Sequence, residues 1–164
     1  MIYVNRPFVI GDWIRSPNKD FEGTVVDIGW YMTHIETFEQ RPLYIPNALI
    51  TDAIIENPGR MDSRRINEII ALRYDDLKHV RVIIADIETM LQNHPDIDEN
   101  NVLRVLLENF NDYSIDICVY TFSKVIDGTG YRKVKQDVLL KIADIVEKHG
   151  AEIAFPTQLI QLKK

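Results

Sequence analysis

Side chains that could carry out chemistry are few in this sequence and lie far apart along it. Cys118 is the only cysteine, so no internal disulfide can form, and its place in a predicted strand indicates a buried, inert thiol. None of the four histidines has a cysteine or another histidine at the spacing of a metal site. Surface or helix-capping roles, and no metal ligation, are expected for His34, His79, His94 and His149.

Motifs for phosphate binding and nucleophilic catalysis are missing. Gly128-Thr129-Gly130 comes nearest to a phosphate loop, but no third glycine follows at the required offset. We interpret this segment as a flexible connection. The sequence contains no Gly-x-Ser-x-Gly nucleophile turn. The acidic run 96–100 lacks the glycine and the glutamate that complete a calcium loop. The sequence therefore predicts a protein that is not an enzyme and needs no cofactor.

Positive charge is concentrated at Arg60, Arg64 and Arg65. These side chains could contact an anionic lipid headgroup or a neighbouring domain, or they could lie on an exposed strand edge. The whole chain carries 19 Lys and Arg against 25 Asp and Glu, a net charge of −6. This balance argues against broad nucleic-acid binding. No run approaches the roughly 20 apolar residues that cross a bilayer, so a soluble chain is expected.

The elements that would position these residues fall into two groups. Residues 1–59 contain short runs rich in β-branched residues, separated by turn formers. Five strands are expected, at 12–15, 21–28, 31–38, 43–45 and 53–55. These strands suggest a small barrel, of the five-stranded Sm-like type, or a curled sheet, because closing the sheet removes its exposed edges. Trp13 and Trp30 are the largest side chains of this domain and are expected to anchor its core.

Asn57-Pro58-Gly59 interrupts both strands and helices and marks the boundary of a second domain, residues 60–164. Its pattern predicts the order β-α-β-β-α-β of a ferredoxin-like α/β sandwich. Two amphipathic helices are indicated, the second ending at Gly150. Their apolar residues are Val80, Ile83, Ile84, Ile87, Met90 and Leu91, then Val134, Val138, Leu139, Ile142, Ile145 and Val146. The strands are expected at 63–74, 102–110, 114–122 and 157–162.

Two helices cover one face of such a sheet, which leaves the other face for water or a partner. One alternative function is therefore a small-barrel RNA-binding module that stacks bases on Tyr120 and Phe122. The nearby Asp116 and Asp127 and the acidic chain argue against it. Another alternative is a ferredoxin-like small-molecule sensor that uses the open sheet face, although the sequence indicates no specific pocket.

Several short segments resemble, in order, the signatures of one family. In the first domain they are RPFVIGDWI (6–14), EGTV (22–25), DIGW (27–30), RPLYIPN (41–47) and ENPGRM (56–61). In the second they are RRI (64–66), LRYD (72–75), DVL (137–139) and AFPTQ (154–158). This ordered set resembles the C-terminal cytoplasmic region of small-conductance mechanosensitive ion channels, the MscS family. The larger MscS-like channels with extra membrane helices are the most similar subgroup.

The resemblance implies a homo-heptamer in the plasma (inner) membrane, with no nucleic-acid partner. The pore helices would precede residue 1, with Met1–Val4 as the end of the last one. On the cytoplasmic side, the first domain would form a vestibule and the second a cage. Membrane tension after hypo-osmotic shock would open the pore to ions and small osmolytes. The turn Pro46-Asn47-Ala48 would face the base of the pore helix, with Ala48 where the family often has glycine.

The charge balance of the first domain extends this expectation. Residues 1–59 carry four basic and eight acidic side chains. A sevenfold ring repeats every carboxylate that faces the lumen, which favours cations in the vestibule. A mild cation preference is therefore predicted for the parent channel.

Overall fold

The structure, a computed structural model, describes residues 7–156 and divides into two compact units, Met1–Met61 and Asp62–Lys164. The expected end of a pore helix at Met1–Val4 and the expected strand at 157–162 lie outside the described residues. None of the helices in the described range is long and apolar enough to cross a membrane.

The first unit is an antiparallel meander of four strands in the order β1-β2-β3-β4. Its inward-facing residues form one small core that includes Ile14, Val25 and Ile35. The register of β2 against β3 shifts between Val25 and Asp27, and such a bulge bends and twists a sheet. The elements are β1 (Trp13–Ser16), β2 (Phe21–Ile28), β3 (Met32–Glu36), β4 (Pro42–Pro46) and the short helix α1 (Asn47–Thr51), followed by a 3-10 turn (Pro58–Arg60).

The expected fifth strand at 53–55 was wrong: within the described residues this unit has a four-stranded sheet. After α1, the chain pairs with β1 only at Glu56, which forms two backbone hydrogen bonds with Arg15 (3.0 and 2.8 Å). The N–H of Ile54 donates to the Asn18 side chain (3.0 Å) instead of to a strand. Pro58 has no N–H to extend the pairing. Local side-chain bonding and proline thus limit the fifth segment to a single bridge.

The second unit has a three-stranded antiparallel sheet in the order β5-β7-β6. Helices α2 and α3 pack on one face of it, and the apolar residues that predicted the two helices, except Leu139, lie in or against this core. Beyond α3 the chain returns to β5, where Leu72 bridges Ile153. The elements are β5 (Arg64–Leu72), a 3-10 helix (Tyr74–His79), α2 (Val80–Gln92), β6 (Arg104–Phe110), β7 (Ile115–Ser123) and α3 (Gly128–Lys148).

The segment Gly128-Thr129-Gly130 is the first turn of α3, so its interpretation as a flexible connection was wrong. Asp127 is the N-cap residue, and its carboxylate accepts a hydrogen bond from the Gly130 N–H (2.6 Å). This contact satisfies one of the backbone donors that a helix start leaves free. At the other end Gly150 adopts the left-handed conformation (φ 66°), as its predicted place after the helix requires.

The expectation for the two tryptophans also needs correction. Trp30 lies in the β2–β3 turn and is 85% exposed, so it is not a core residue. Trp13 is half-buried, and its indole N–H donates to Glu22 (3.0 Å). The core of this unit is instead built from Phe8, Phe21 and aliphatic side chains. The prediction depended on side-chain size alone, and size does not decide the burial of a residue in a turn.

Candidate functional site

The side chain of Asn47 ties the start of α1 to the β2–β3 turn. Its amide nitrogen donates to the backbone carbonyls of Gly29 (2.9 Å) and Trp30 (3.0 Å). Its amide oxygen accepts from the hydroxyl of Thr33 (2.8 Å), which is fully buried. The Asn47 backbone N–H donates to the Tyr31 carbonyl (2.8 Å). Four hydrogen bonds therefore hold this turn and the first residue of α1 in one arrangement.

The local sequence explains why the chain bends here. Pro46 is the last residue of β4, lies at φ −55°, and cannot donate to a further strand. Asn47 then enters α1 in a helical conformation and needs no left-handed backbone. Pro46 and Ala48 are exposed on either side of it, and Asn47 is half-buried. In the turn that was expected to face the pore helix, Pro46 and Ala48 are thus accessible to a partner, whereas the Asn47 side chain is bonded within the unit.

No charged residue occurs in the two segments that meet at this end of the unit, residues 28–33 and 45–51, here named the uncharged end. Met32 pairs with Pro46 across β3 and β4, which brings the segments together. The exposed fraction is 85% for Trp30, 79% for Tyr31 and 52% for Met32. In a chain with 27% charged residues, an end that is both uncharged and exposed requires an explanation.

The three arginines of the expected basic patch belong to different units. Arg60 lies in the first unit and pairs with Asp12 (2.7 Å), which also accepts from the Val9 N–H and from Asn57. Burial acts to raise the pKa of Asp12, but these hydrogen bonds and the positive charge of Arg60 outweigh it and lower the pKa below its usual value. Arg60 therefore has a role inside its own unit.

Arg64 and Arg65 lie in the second unit, at the start of β5. The Arg64 guanidinium lies over the ring of Tyr131 (4.3 Å to its centroid) and donates to the Ile126 carbonyl (3.3 Å). The Tyr131 hydroxyl in turn donates to the backbone carbonyl of Arg65 (2.8 Å). Arg65 is exposed, whereas Arg64 is half-buried. Of the three arginines, Arg60 and Arg65 are exposed, and Arg60 already pairs with Asp12.

One histidine departs from the expected surface role. His94 is buried, and its Nε2 lies 2.8 Å from the Asp137 carboxylate of α3. Its Nδ1 accepts from the Asp96 N–H (3.2 Å), so Nε2 carries the proton of the neutral ring. His94 thus joins the end of α2 to α3. Across residues 7–156 there is no group of three or more His, Cys, Asp or Glu side chains that could hold a metal ion.

Cys118 lies in the middle of β7, on the face that the helices do not cover. It is half-buried rather than fully buried, and burial raises the pKa of its thiol. Asn67 faces it at 3.6 Å. A thiol with a raised pKa is a weak nucleophile at neutral pH, which agrees with the predicted inertness.

The open sheet face also carries Tyr120 and Phe122, whose rings meet edge to face at 5.6 Å. Arg104 is the cross-strand neighbour of Tyr120, and Arg65 is that of Phe122. Sequence reasoning missed these basic neighbours because they come from other strands and depend on register. Asp116 lies on the same face, so the face is mixed in charge.

Both units match descriptions of one protein family. Residues 1–60 match "Mechanosensitive ion channel, beta-domain", and residues 69–153 match "Mechanosensitive ion channel MscS, C-terminal". The two matches follow the order of the two units. Together they account for most of the chain, and the second alone covers about half of it.

Named relatives agree with these matches. The low conductance mechanosensitive channel YnaI of Escherichia coli is 50% identical over 162 residues. The aligned region covers 99% of this chain and 47% of YnaI. The small-conductance mechanosensitive channel MscMJ of Methanocaldococcus jannaschii is 33% identical, covering 100% of this chain and 46% of its own length. The chain thus spans about half the length of each of these two relatives.

Solved structures show the same fold. Arabidopsis thaliana MSL1 has a TM-score of 0.87 at 25% identity and covers 95% of this chain and 56% of its own. Helicobacter pylori MscS, in a closed state, has a TM-score of 0.82 at 22% identity and covers 99% of this chain and 62% of its own. The chain therefore belongs to the MscS family of mechanosensitive ion channels.

Proposed function

We propose that this chain is the cytoplasmic vestibule and cage region of a mechanosensitive channel subunit in the plasma (inner) membrane. The parent protein opens under the tension of hypo-osmotic shock and releases ions and small osmolytes. The observation that carries the proposal is the match of both units, in order, to two successive parts of such channels. The relatives are named as ion channels, which favours a non-enzymatic role.

The finer fold is part of this proposal. The first unit is proposed to curl into a small Sm-like barrel in which the single Glu56 bridge takes the place of the full fifth strand, and the second to form a complete ferredoxin-like sandwich. The Arg15–Glu56 bridge supports the first proposal because it places the segment after α1 beside β1. The strand order β5-β7-β6 and the Leu72–Ile153 bridge support the second, because the latter adds chain at the free edge of β5.

The subunit is proposed to assemble as a homo-heptamer. Membership of the MscS family supports this proposal, because the resemblance to that family implies a homo-heptamer. Light scattering on the purified parent protein in detergent measures its molar mass directly. A mass of seven subunits is expected, and a monomeric mass would contradict the proposed ring.

The turn Pro46-Asn47-Ala48 is proposed to face the pore helix. The exposure of Pro46 and Ala48 supports this role, because both can be contacted without unfolding α1. The four hydrogen bonds of Asn47 add support, since a rigid turn transmits a displacement better than a mobile one.

The arginines are proposed to contact lipid headgroups or another domain, with Arg65 as the main contributor. Arg60 and Arg64 already have partners inside their own units. Their contribution to an external contact would require them to leave those partners or to share them. Neither the RNA-binding nor the sensor alternative gains support from the relatives, which are named as channels.

Patch-clamp recording of the parent protein tests the function. The parent is expressed in spheroplasts of a bacterial strain that lacks its own mechanosensitive channels, and suction is applied to excised patches. Currents that appear with suction and vanish on its release are expected. Silent patches from membranes in which immunoblots show the protein would contradict the proposal.

A further inference from the structure

The sheet of the second unit has one face that α2 and α3 do not cover. Along β7, buried residues alternate with half-buried ones, and the half-buried residues, which include Tyr120 and Phe122, lie on this open face. Arg104 of β6 pairs with Tyr120, and Arg65 of β5 pairs with Phe122. Residues that are paired directly across strands share a face. Three strands thus contribute to one group, here named the arginine–aromatic cluster (Arg65, Arg104, Tyr120 and Phe122).

The polar groups of this cluster are available to a ligand. Arg65 and Arg104 are both exposed. In the part of the chain that the structure describes, neither guanidinium forms an ion pair, and the Tyr120 hydroxyl forms no hydrogen bond. Arg60 and Arg64 differ in this respect, because each has a partner inside its own unit.

The two aromatic rings stand between the two arginines. Tyr120 and Phe122 belong to β7, the middle strand of the order β5-β7-β6, and each arginine comes from a flanking strand. The ring centroids are 5.6 Å apart and the ring planes meet at 81°. Because neighbouring strands lie about 4.8 Å apart, the backbones that carry the arginines are separated by roughly 10 Å across the sheet. A planar aromatic ligand over β7 therefore has a positive charge on either side.

The acidic residues of the open face lie toward its other end. Asp116 is four residues from Tyr120 along β7, which is about 13 Å at roughly 3.3 Å per residue. Glu108 follows Arg104 by four residues and lies beside Cys118. The positive patch is therefore short along the strands. A polyanion that continued along the sheet would meet both carboxylates, in a chain whose net charge is −6.

We propose that the arginine–aromatic cluster binds a mononucleotide, whose base stacks on the two rings and whose phosphates contact Arg104 and Arg65. Every nucleobase has a flat π face, and open sheets hold bases by stacking them on aromatic side chains. Guanidinium groups bind phosphate oxygens through paired hydrogen bonds. The short positive patch favours one nucleotide over an RNA strand. This binding goes beyond the proposed function. Arg65 belongs to both proposals, whereas Arg104 belongs to this one alone.

Titration of the whole chain with ATP, followed in 1H–15N correlation spectra, tests the site. The amide signals of Arg104, Tyr120 and Phe122 are expected to move together and to saturate. Inorganic triphosphate lacks the stacking contact and should bind about fivefold or more weakly than ATP. Adenosine lacks the charged contacts and should bind about tenfold or more weakly. The affinity for ATP should fall as the salt concentration rises.

Matched variants assign the two contacts. Tyr120→Leu combined with Phe122→Leu keeps apolar side chains but removes the rings, and should weaken ATP binding about fivefold or more. Arg104→Gln should weaken ATP binding about tenfold and leave adenosine binding unchanged, a split that a purely structural role would not produce. Arg81→Gln removes an exposed arginine of α2, on the covered side of the sheet, and should leave ATP binding unchanged. If the double variant does not fold, Tyr120→Leu alone is used.

Several results would overturn the inference. They are the absence of a saturable shift with ATP, equal affinity for ATP and triphosphate, and an Arg104→Gln effect no larger than that of Arg81→Gln. Tighter binding of oligouridylate than of UTP would show that the face takes an RNA strand. Shifts of the same signals with protein concentration alone would show that a second copy covers it.

The outcomes for the site and for the channel are separable, because none of these measurements depends on gating. A parent channel that responds to suction, with a chain that ignores ATP, contradicts only this inference. A silent parent, with a chain that binds ATP through Arg104, contradicts only the proposed function.

Discussion

At the residue scale, Asn47 is the side chain on which the first unit depends most visibly. Asn47→Ala removes three side-chain hydrogen bonds and leaves the buried Thr33 hydroxyl without its acceptor. We expect a loss of about 2–3 kcal/mol in the free energy of unfolding of this unit. Urea unfolding followed by tryptophan fluorescence measures it, because Trp13 and Trp30 both lie in the first unit.

Two further substitutions control this prediction. Asn47→Asp keeps the acceptor for Thr33 but cannot donate to the carbonyls of Gly29 and Trp30. We expect it to lower the free energy of unfolding by no more than Asn47→Ala does. Glu39→Ala removes an exposed ion pair with Arg41 and should change stability by less than about 1 kcal/mol. Equal effects of Asn47→Ala and Glu39→Ala would contradict the role assigned to Asn47.

Asp12 predicts how the stability of the first unit depends on pH. Its folded-state pKa is lowered, since the hydrogen bonds from Val9, Asn57 and Arg60 outweigh the effect of burial. The stabilisation is therefore complete above the ordinary Asp pKa of about 3.9 and is lost as the pH falls through the lower folded-state value. The difference in unfolding free energy between the unsubstituted chain and Asp12→Asn should be constant near neutrality and shrink in acid. Urea titrations at several pH values measure it, and a difference independent of pH would contradict the assignment.

Sequence reasoning located Asn47 but not its partners. The family motif RPLYIPN pointed to the residue, whereas Thr33 and Gly29 lie 14 and 18 positions away and meet it only through the pairing of β3 with β4. Trp30 was placed in the core because large aromatic side chains usually are buried. Its exposure depends on the turn that Asn47 holds, which no local pattern encodes.

At the element scale, the start of α3 offers a paired test on two glycines. A Cβ on Gly130 would lie 2.5 Å from an Asp127 carboxylate oxygen and 2.6 Å from a Val125 methyl, whereas a Cβ on Gly128 meets nothing within 4 Å. Gly130→Ala should therefore disturb the N-cap and destabilise the unit by about 1 kcal/mol. Gly128→Ala should stabilise it by up to about 1 kcal/mol, through higher helix propensity. Urea unfolding followed by far-ultraviolet circular dichroism measures both, and effects of the same sign would contradict the geometry.

The elements themselves were largely readable from periodicity. The spacing of apolar residues in α2 placed its start at Val80, as observed, and the β-branched run between turn formers gave both ends of β2. The errors occurred where a side chain, rather than a pattern, sets the boundary. With Asp127 as its N-cap, α3 begins at Gly128, six residues before Val134, the first apolar residue of the predicted pattern. Asn18 accepts a hydrogen bond from the Ile54 N–H, which is therefore not available for strand pairing. Such contacts depend on the fold and carry no periodic signal.

At the scale of the whole molecule, the unpaired carboxylates of the first unit bear on ion selectivity. From residue 7 onward, where the structure describes this unit, its basic residues Arg15, Lys19, Arg41 and Arg60 each form an ion pair. Within residues 7–156, no basic side chain forms an ion pair with Asp20, Glu22, Asp27 or Glu36. In the proposed sevenfold ring, every such carboxylate that faces the lumen is repeated seven times. The accumulated negative potential raises the local concentration of cations at the vestibule.

We therefore expect a mild cation preference in the parent channel, measured as a reversal potential displaced toward the cation equilibrium potential in a salt gradient. Asp27→Asn combined with Glu36→Gln should move the reversal potential toward zero, because it removes two charges per subunit without changing side-chain size. Asp27→Glu keeps the charge and is the matched control, for which no movement is expected. The effect should weaken in concentrated salt, where screening shortens the range of the field. A clear anion preference in the unsubstituted channel would contradict the prediction.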